Sequence, residues 1–483
     1  MNSVNEELWR KYGENVFMAM PYADEVIVTA QGCTLYDADG KEFLDLAAGM
    51  FCCVLGHNHP KFVDRIVGQI KTLLHTGTQF LSPAVLEAGH KLTQVAPGQL
   101  HKAIFLSTGT EANEFALRVA KAYTGRTGIM GLSRGYYGTS VATKSCSSLA
   151  SHRLRDSLPT VPESVRLPIT PQCVSCFSTP AGANCQLACL ADVESWIGDW
   201  SNIAAVIVEP VLSAGGMLFP PGGYLKRLRE LAHANGALFI VDEAQTGFGR
   251  TGKWFAIEHH DAEPDILTMS KSIGNGFPVA AVLATDKIAD DVVAKGLWNL
   301  SSHQSDPVAA TAVAAIIDIV QEEGLVERAR ESGEYFMSAL RALSDKCPAI
   351  ANVRGQGLMI GFDLVPGDGE QSAAMVNDFM FGCRRRGVHL TYGFGGVNFR
   401  IIPPLIITRA EMDRAVQVIE ESLRSALAGG AANRADWPKN PYTKQLFEKP
   451  YWKRLGHFFW HSSPSDVVAK GREVVKGRFG RRG

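Results

Sequence analysis

The chain has 483 residues, which is too long for one simple hydrophobic core, so a large domain with a smaller one is expected. Hydrophobic residues at 46%, charged residues at 20% and a net charge of −1 describe an ordinary globular enzyme with no overall attraction to nucleic acid or membrane. The start of the chain is mixed and polar, no apolar run reaches about eighteen residues, and the ten cysteines form no secreted disulfide pattern, so we expect a cytoplasmic protein.

The N-terminal part is predicted to form strands and then a helix. Residues 25–46 read as strands joined by a tight turn at Asp39–Gly40. The next segment, AAGMFCCVLGHNHP, leads into a helix that begins near Pro60. Cys52 and Cys53 are adjacent in this apolar segment and are expected to be reduced core residues.

A strand ending at Phe105–Leu106 is predicted to lead directly into an amphipathic helix. The connection is Ser107–Thr110, with the sequence STGT. Free backbone N–H groups and the positive end of the helix dipole make such a turn an anion-binding site. Simple N-capping by Thr108 or Thr110 fits the same residues.

Residues 146–190 contain a loop rich in proline, glycine and serine with four cysteines, Cys173, Cys176, Cys185 and Cys189. Four thiols this close could form a structural zinc site, and buried thiols or an adventitious pairing are the alternatives. No metal is assigned to the active site.

The centre of the chain carries the chemistry. An apolar run, Ala237–Val241, is typical of a buried parallel strand, and it ends on Asp242. A second predicted strand, Asp265–Met269, is separated from Lys271 by one residue, Ser270. Ligands of open α/β sheets bind outside the carboxyl ends of the strands, so these two side chains predict an active site.

Pyridoxal phosphate is the cofactor that needs both groups. Its aldehyde forms a Schiff base with a lysine, here Lys271, and its ring nitrogen needs an anion, here Asp242. The alternative is that Asp242 caps a turn and that Lys271 is an ordinary surface lysine.

The stretch DEAQTGFGRTG, which begins at Asp242, together with Ser270–Lys271 resembles the class III (ω-type) pyridoxal phosphate-dependent aminotransferases. The resemblance extends from about Tyr22 to Leu427 and looks closest to the 2,2-dialkylglycine decarboxylase-like branch. It implies the α/β fold of fold type I, with a mostly parallel seven-stranded sheet, a small α+β C-terminal domain, and a homodimer that shares its active sites.

The resemblance also implies a set of cofactor-binding residues: Thr108, Gly109, Thr110, Tyr136, Glu209, Asp242, Gln245, Lys271 and Ser302. In that set the two threonines and the glycine hold the phosphate, and the ring of Tyr136 stacks on the pyridine face. Glu209 and Gln245 lie along the edge that carries the phenolic oxygen. Ser302 reaches the phosphate bound by the neighbouring subunit.

Three residues are expected to contact the substrate. Relatives often pair the equivalent of Arg400 with a glutamate, but that position is Ala214 here. Arg400 is therefore expected to bind an α-carboxylate, with a structural salt bridge as the alternative. Met50 replaces a glutamine of the decarboxylating relative, and Tyr137 stands where relatives often have histidine or tryptophan; core packing is the alternative for both.

The function predicted is transfer of an amino group between an amino acid donor and a keto acid, ketone or aldehyde acceptor. The nearest alternative is a pyridoxal phosphate-dependent decarboxylase, racemase, aminomutase or lyase. An alternative from another functional class is a partner-binding protein that retains the fold of an enzyme without its activity.

Four regions are expected along the chain: an N-terminal arm with small-domain strands at 1–60, a large cofactor-binding domain at 61–306, a small C-terminal domain at 307–428, and a tail at 429–483. Residues 431–483 carry twelve Lys/Arg against four Asp/Glu, with interleaved aromatic residues. Such a tail could bind RNA, acidic lipid or a partner, or it could pack on its own acidic dimer. We favour the packed tail, so neither nucleic acid nor membrane is expected as a partner.

Overall fold

The structure is a computed structural model of the chain, and it describes residues 3–17, 22–147, 149, 161–167, 190, 200–365, 370–393 and 397–428. The cysteines considered for zinc (Cys173, Cys176, Cys185 and Cys189) and the tail at 429–483 lie outside the described residues.

The strands are β1 Ile27–Gln31, β2 Thr34–Asp37, β3 Glu42–Asp45, β4 Leu100–Leu106, β5 Gly128–Leu132, β6 Ser164–Leu167, β7 Ile203–Val208, β8 Leu238–Asp242, β9 Ile266–Met269, β10 Ala280–Thr285, β11 Ile350–Gln356, β12 Met359–Leu364, β13 Val388–His389, β14 Thr391–Tyr392 and β15 Asn398–Ile401. The α-helices are α1 Val4–Tyr12, α2 Ala48–Phe51, α3 Pro60–Thr72, α4 Pro83–Val95, α5 Gly109–Thr124, α6 Val141–Ser145, α7 Tyr224–Ala234, α8 Asp286–Ala294, α9 Pro307–Glu322, α10 Leu325–Lys346, α11 Glu370–Arg385 and α12 Arg409–Leu427.

A seven-stranded sheet forms the centre of the molecule, in the spatial order β4-β10-β9-β8-β7-β5-β6. The neighbours from β9 to β6 are parallel, whereas β10 runs antiparallel to both β4 and β9. The predicted α/β fold with a mostly parallel sheet of seven strands is confirmed.

Helices cover this sheet because its central strands are apolar along their whole length. Every residue of β7 and of β8 is buried. On one face α5 contributes Ala112, Ala116 and Leu117 to the apolar core. The alanine- and valine-rich helix α9 is buried along most of its length and packs against α3 and α4. Within the described residues, no helix has both the length and the apolar content that crossing a bilayer requires.

A smaller antiparallel sheet, in the order β11-β12-β15-β14, follows α10 in the chain. A third sheet, in the order β1-β2-β3-β13, joins the N-terminal strands to the C-terminal part, because β13 pairs in parallel with β3. The predicted turn at Asp39–Gly40 does connect β2 to β3, which pair in antiparallel fashion. Strands that are more than 340 positions apart in the sequence therefore share one sheet.

The parallel strands deliver the candidate site residues to one edge of the central sheet. Glu209 directly follows β7, Asp242 is the last residue of β8, and Lys271 comes two residues after β9. The strand ends are in register, since Asp242 pairs with Thr268. The carboxyl edge of such a sheet is where ligands bind in open α/β folds.

Candidate active site

Asp242 is a buried carboxylate held by two hydrogen bonds. Its Oδ1 accepts from the backbone N–H of Ala244 at 2.8 Å, and its Oδ2 accepts from Nδ2 of Asn113 at 2.6 Å. Burial raises the pKa of Asp242, and the positive charge of Lys271 and these hydrogen bonds act in the opposite direction. The donors therefore help to keep a buried carboxylate ionised.

Asn113 was missed by the sequence reasoning. It lies on α5, is 2% exposed, and also donates to the carbonyl oxygen of Tyr137 at 2.8 Å. The signal in the sequence is a polar residue on the face of α5 that otherwise carries Ala112, Ala116 and Leu117. A buried amide on an apolar face needs polar partners, and Asp242 is one of them.

Lys271 occupies a backbone conformation that is rare for residues other than glycine. Its φ is 48°, and it begins a short 3-10 turn, Lys271–Gly274. The turn ends at Asn275, whose side chain accepts from the backbone N–H of Leu55 at 2.9 Å and donates to the carbonyl oxygen of Gly56 at 3.1 Å. Strain of this kind persists where the surrounding contacts enforce it, and it is concentrated at functional sites.

The turn before α5 reaches this lysine. Thr108 caps the helix, because its side chain accepts from the N–H of Glu111 at 3.3 Å, and this cap is compatible with the predicted contact with a phosphate. A Cβ on Gly109 would lie 3.2 Å from Cβ of Ser270, which explains the glycine. The first N–H groups of a helix have no partner within the helix, and here they begin beside the residue that precedes Lys271.

Glu209 and Asp242 are buried carboxyl groups, and the negative charge of Asp242 acts on Glu209. Oε1 of Glu209 accepts from the backbone N–H of Tyr136 at 2.6 Å. Burial and then the negative charge of Asp242 hold the pKa of Glu209 well above its ordinary value, while the charges of Lys271 and Arg400 oppose the shift. The two acids and the two cations therefore act on one another across a single site.

The two tyrosines lie in different surroundings. Tyr136 is half-buried, and burial raises its pKa. Tyr137 is 1% exposed, belongs to the apolar core, and accepts from the backbone N–H of Leu132 at 3.1 Å. The position of Tyr137 favours the core alternative over the expected contact with substrate.

Gln245 provides a test of whether the site fits a cofactor with an acceptor oxygen. It is 6% exposed, and its Nε2 is buried with no hydrogen-bond partner among the described residues. Buried amide donors without a hydrogen-bond partner are rare in folded proteins. A phenolate oxygen, as in pyridoxal phosphate, is an acceptor of the kind that this nitrogen lacks.

Arg400 is a half-buried cation whose charge acts on Glu209. Its Nη2 donates to the carbonyl oxygen of Tyr392 at 3.1 Å, and its guanidinium lies over the ring of Phe51, 4.6 Å from the centroid. Its Nε is buried without a partner, and among the described residues no carboxylate forms an ion pair with it. Burial lowers the pKa of Arg400 to about 10. Within the described chain, the salt-bridge alternative is wrong.

Two further predicted site residues lie at the surface of the single chain. Met50 is 60% exposed, so the alternative that it is core filler is wrong. Ser302 is exposed in the loop 301–306, which is attached to the central sheet by the N–H of Ser305, 3.0 Å from the carbonyl oxygen of Phe105. The neighbouring thiols of Cys52 and Cys53 are free, as predicted, but they are half-buried rather than core residues.

An α/β sheet whose carboxyl edge brings together a buried aspartate, a strained lysine and a helix N-terminus defines the fold type I class of pyridoxal phosphate enzymes. The model of the family described as aminotransferase class-III matches residues 18–423. An uncharacterized aminotransferase from Schizosaccharomyces pombe is 36% identical over 432 residues, covering 87% of this chain and 94% of the relative. The acetylornithine aminotransferase of Methanothermobacter thermautotrophicus is 34% identical over 408 residues, covering 84% of this chain and 96% of the relative.

Solved structures agree with these relatives. The PLP-bound form of an amine transaminase from an uncultivated Pseudomonas species superimposes with a TM-score of 0.77 at 29% identity, covering 83% of this chain and 95% of that one. The chain belongs to the class III aminotransferases, and its cofactor is pyridoxal phosphate. The relatives include aminotransferases of several kinds and a leucine/methionine racemase from Thermococcus litoralis, and they do not single out the dialkylglycine decarboxylase-like branch.

Proposed function

We propose that this aminotransferase uses Lys271 to bind the aldehyde of its cofactor and takes an α-amino acid or an α-keto acid in at least one half-reaction. One observation carries the choice of substrate: Arg400 is half-buried, its Nε is buried without a hydrogen-bond partner, and no carboxylate among the described residues forms an ion pair with it. A desolvated guanidinium binds best to an anion that can accept two of its N–H groups, and an α-carboxylate is such an anion.

Lys271 and Asp242 would carry the central chemistry. Bound pyridoxal phosphate supplies an electron sink for the pair of electrons left on the substrate carbon. Nζ of Lys271 would take the proton from that carbon and would deliver it to the aldehyde carbon of the cofactor, which is the proton shift that transamination requires. The carboxylate of Asp242 provides a negative charge for the ring nitrogen, and Asn113 holds that carboxylate in place.

The remaining residues would position the cofactor. Thr108, Gly109 and Thr110 offer N–H and hydroxyl groups to the phosphate at the start of α5, next to Ser270. Nε2 of Gln245, which lacks a hydrogen-bond partner among the described residues, would donate to the phenolic oxygen, and the half-buried ring of Tyr136 would pack against the pyridine. Glu209 orients the backbone of Tyr136 through the hydrogen bond to its N–H.

The active sites would be completed in a homodimer, with Ser302 of one subunit donating to the phosphate bound by the other. Supporting this, two large apolar side chains within four residues of Ser302 in the sequence are exposed in the single chain, Trp298 at 74% and Leu300 at 78%. An apolar surface of this kind marks a protein interface.

Spectroscopy of the purified protein tests the proposal. Titration with single α-amino acids is expected to replace the visible band of the lysine-bound cofactor by that of the aminated cofactor, and a keto acid is expected to reverse the change. A Lys271→Ala variant is expected to lose turnover, and retention of the wild-type rate would end the proposed role of this lysine.

The same experiment decides between transamination and a different bond cleavage. In pyridoxal phosphate enzymes, the substrate bond that lies perpendicular to the cofactor plane is the one that breaks. The side chains around the substrate set its orientation and therefore determine the reaction. A spectrum that does not change while carbon dioxide, ammonia or the opposite enantiomer accumulates would favour decarboxylation, elimination or racemisation. Carbon dioxide released from 2-aminoisobutyrate would place the chain with the dialkylglycine decarboxylase-like branch.

A further inference from the structure

The aromatic ring beneath Arg400 comes from an unusual segment of backbone. Phe51 is 3% exposed, and it ends the short helix α2, in which Ala48, Gly49 and Phe51 all have positive φ, at 46°, 67° and 65°. Alanine and phenylalanine pay a steric cost in that region, which glycine does not. Ala48 and Phe51 would not keep positive φ in a flexible segment, so contacts with surrounding residues must hold the turn in this conformation.

Asp45 is the residue that enforces it. Its side chain is inaccessible to solvent, its Oδ1 accepts from the N–H of Ala47 at 2.9 Å, and its Oδ2 accepts from the N–H of Gly49 at 2.6 Å. Nε2 of His57 lies 2.8 Å from the same Oδ2. One buried carboxylate thus binds both sides of the strained turn and the residue that closes the segment.

Electrostatics supports an ionised pair. Burial alone would raise the pKa of Asp45, but the hydrogen bond with His57 and those from the backbone hold it below its ordinary value. Burial would lower the pKa of His57, but the hydrogen bonds with Asp45 and Cys53 raise it to about 9. The groups that face the imidazole are therefore the carboxylate of Asp45 and the thiol of Cys53.

The segment is also attached to the strand that carries Arg400. The N–H of Ile402 donates to the carbonyl oxygen of Leu46 at 2.7 Å, and Phe51 packs in one apolar cluster with Ile402 and Met359. The guanidinium is then fixed from two directions, by the ring of Phe51 on one face and by the carbonyl oxygen of Tyr392 at one N–H.

We propose that Phe51, held by Asp45 and His57, is a positioning residue that fixes the guanidinium of Arg400 for a substrate carboxylate and so selects carboxylate-bearing substrates over plain amines. The inference rests on the proposed role of Arg400. Contact with a buried aromatic ring stabilises a guanidinium and restricts its rotation. Arg400 is therefore already ordered before the carboxylate binds, and binding does not incur that loss of entropy.

The test uses three molecules that share one side chain. They are the best α-amino acid donor found for the holoenzyme, the amine that lacks only its carboxylate, and the acid that lacks only its amino group. KM and kcat are measured for the donor, and competitive inhibition constants are measured for the amine and the acid. The acid reports on carboxylate binding without any chemistry on the cofactor.

Phe51→Leu is expected to raise the KM of the donor and the inhibition constant of the acid by roughly 5- to 10-fold, which lies between the effects of an exposed and of a fully desolvated cation–π contact. The kcat and the inhibition constant of the amine should stay within about 2-fold. Asp45→Asn is expected to shift the same two constants in the same direction. Phe51→Tyr, which keeps the ring, should restore the wild-type values, and it keeps the test decisive if Asp45→Asn does not fold.

Two controls separate the outcomes. Phe336→Leu removes an equally buried ring from α10 and should leave all constants unchanged. Arg400→Gln should raise the KM of the donor and the inhibition constant of the acid; if it does not, the proposed role of Arg400 is wrong whatever Phe51 does. If Arg400→Gln has that effect but Phe51→Leu changes the acid and the amine equally, or changes neither, the inference about Phe51 alone is overturned.

Discussion

Asn113 donates a hydrogen bond of 2.6 Å to the carboxylate of Asp242 and so connects the helix after the phosphate turn to the end of β8. The hydroxyl of Thr268 donates to Oδ1 of Asn113 at 2.6 Å, which leaves the amide nitrogen directed at Asp242. Two neighbouring strands and one helix are thereby tied to a single carboxylate.

Asn113→Ala is expected to weaken the binding of pyridoxal phosphate by roughly 10- to 100-fold, because a buried hydrogen bond to a charged group contributes about 1.5–3 kcal/mol. The loss should appear as a higher dissociation constant in a fluorescence titration of the cofactor-free protein. Gln417→Ala, which removes an exposed amide on α12, is the matched control. An unchanged cofactor affinity in Asn113→Ala would show that this hydrogen bond does not contribute to the site.

Gly109 offers a second test of the cofactor cradle. A Cβ at this position would lie 3.2 Å from Cβ of Ser270, so Gly109→Ala should push apart the phosphate turn and the residue before Lys271. We expect cofactor affinity to fall by about 10-fold or more, since the helix N-terminus and the lysine bind opposite ends of one small molecule.

The control for Gly109→Ala is Gly89→Ala on α4, where the added Cβ meets no atom within 4 Å. Alanine is the better helix former by about 1 kcal/mol, so Gly89→Ala should raise the thermal midpoint without affecting the cofactor. Equal cofactor affinity in both variants would contradict the close approach of the phosphate turn to Ser270.

The residues that act through strand ends were predictable from the sequence. Buried parallel strands are continuous apolar runs, so the positions of Asp242 and Lys271 at the sheet edge followed from the apolar runs before them, with β8 and β9 each beginning one residue later than predicted. The roles of Thr108 to Thr110 and of Gln245 needed the resemblance to the family, because a capped helix N-terminus looks the same with and without a phosphate.

Contacts between segments distant in the chain were not predictable. Asn113 reaches Asp242 across 129 positions, and Phe51 lies beneath Arg400, which is on β15. Positive φ at Phe51 and Lys271 left no trace in their residue types, since both side chains disfavour that conformation. Such strained positions are set by tertiary contacts, and they coincide here with the candidate site.

Stability should depend on pH through His57. Its pKa is raised from 6.5 to about 9 by Asp45 and Cys53 despite its burial. Because the pKa of His57 is higher in the folded state than in the unfolded state, protonation of His57 stabilises the folded protein. This contribution is complete at pH values below the unfolded-state pKa and is lost as the pH rises through about 9. We expect the free energy of unfolding to fall between pH 6.5 and 9, with a slope of at most about 1.4 kcal/mol per pH unit from this group.

Urea denaturation at a series of pH values measures this slope. His57→Gln keeps a hydrogen-bonding side chain beside Asp45 but cannot titrate. Its free energy of unfolding should therefore be lower than that of the wild type at pH 6 and should change little between pH 6 and pH 9. His101→Gln, which removes an exposed histidine paired with Asp286, is the control and should retain the wild-type slope. Parallel slopes in the wild type and His57→Gln would mean that another group causes the pH dependence.

Leu300 provides the test of the shared active site. It is 78% exposed and lies two residues from Ser302 in the segment that leads to α9. A charge there would have to be buried on dimerisation without a partner, so Leu300→Asp is expected to shift the protein towards the monomer and to lose turnover with it. Light scattering coupled to size-exclusion chromatography measures the first effect, and the dependence of specific activity on protein concentration measures the second. Val365→Asp, at an exposed position after β12, should leave both unchanged. A monomer of Leu300→Asp that keeps full activity would show that each chain completes its own site and that Ser302 does not act across an interface.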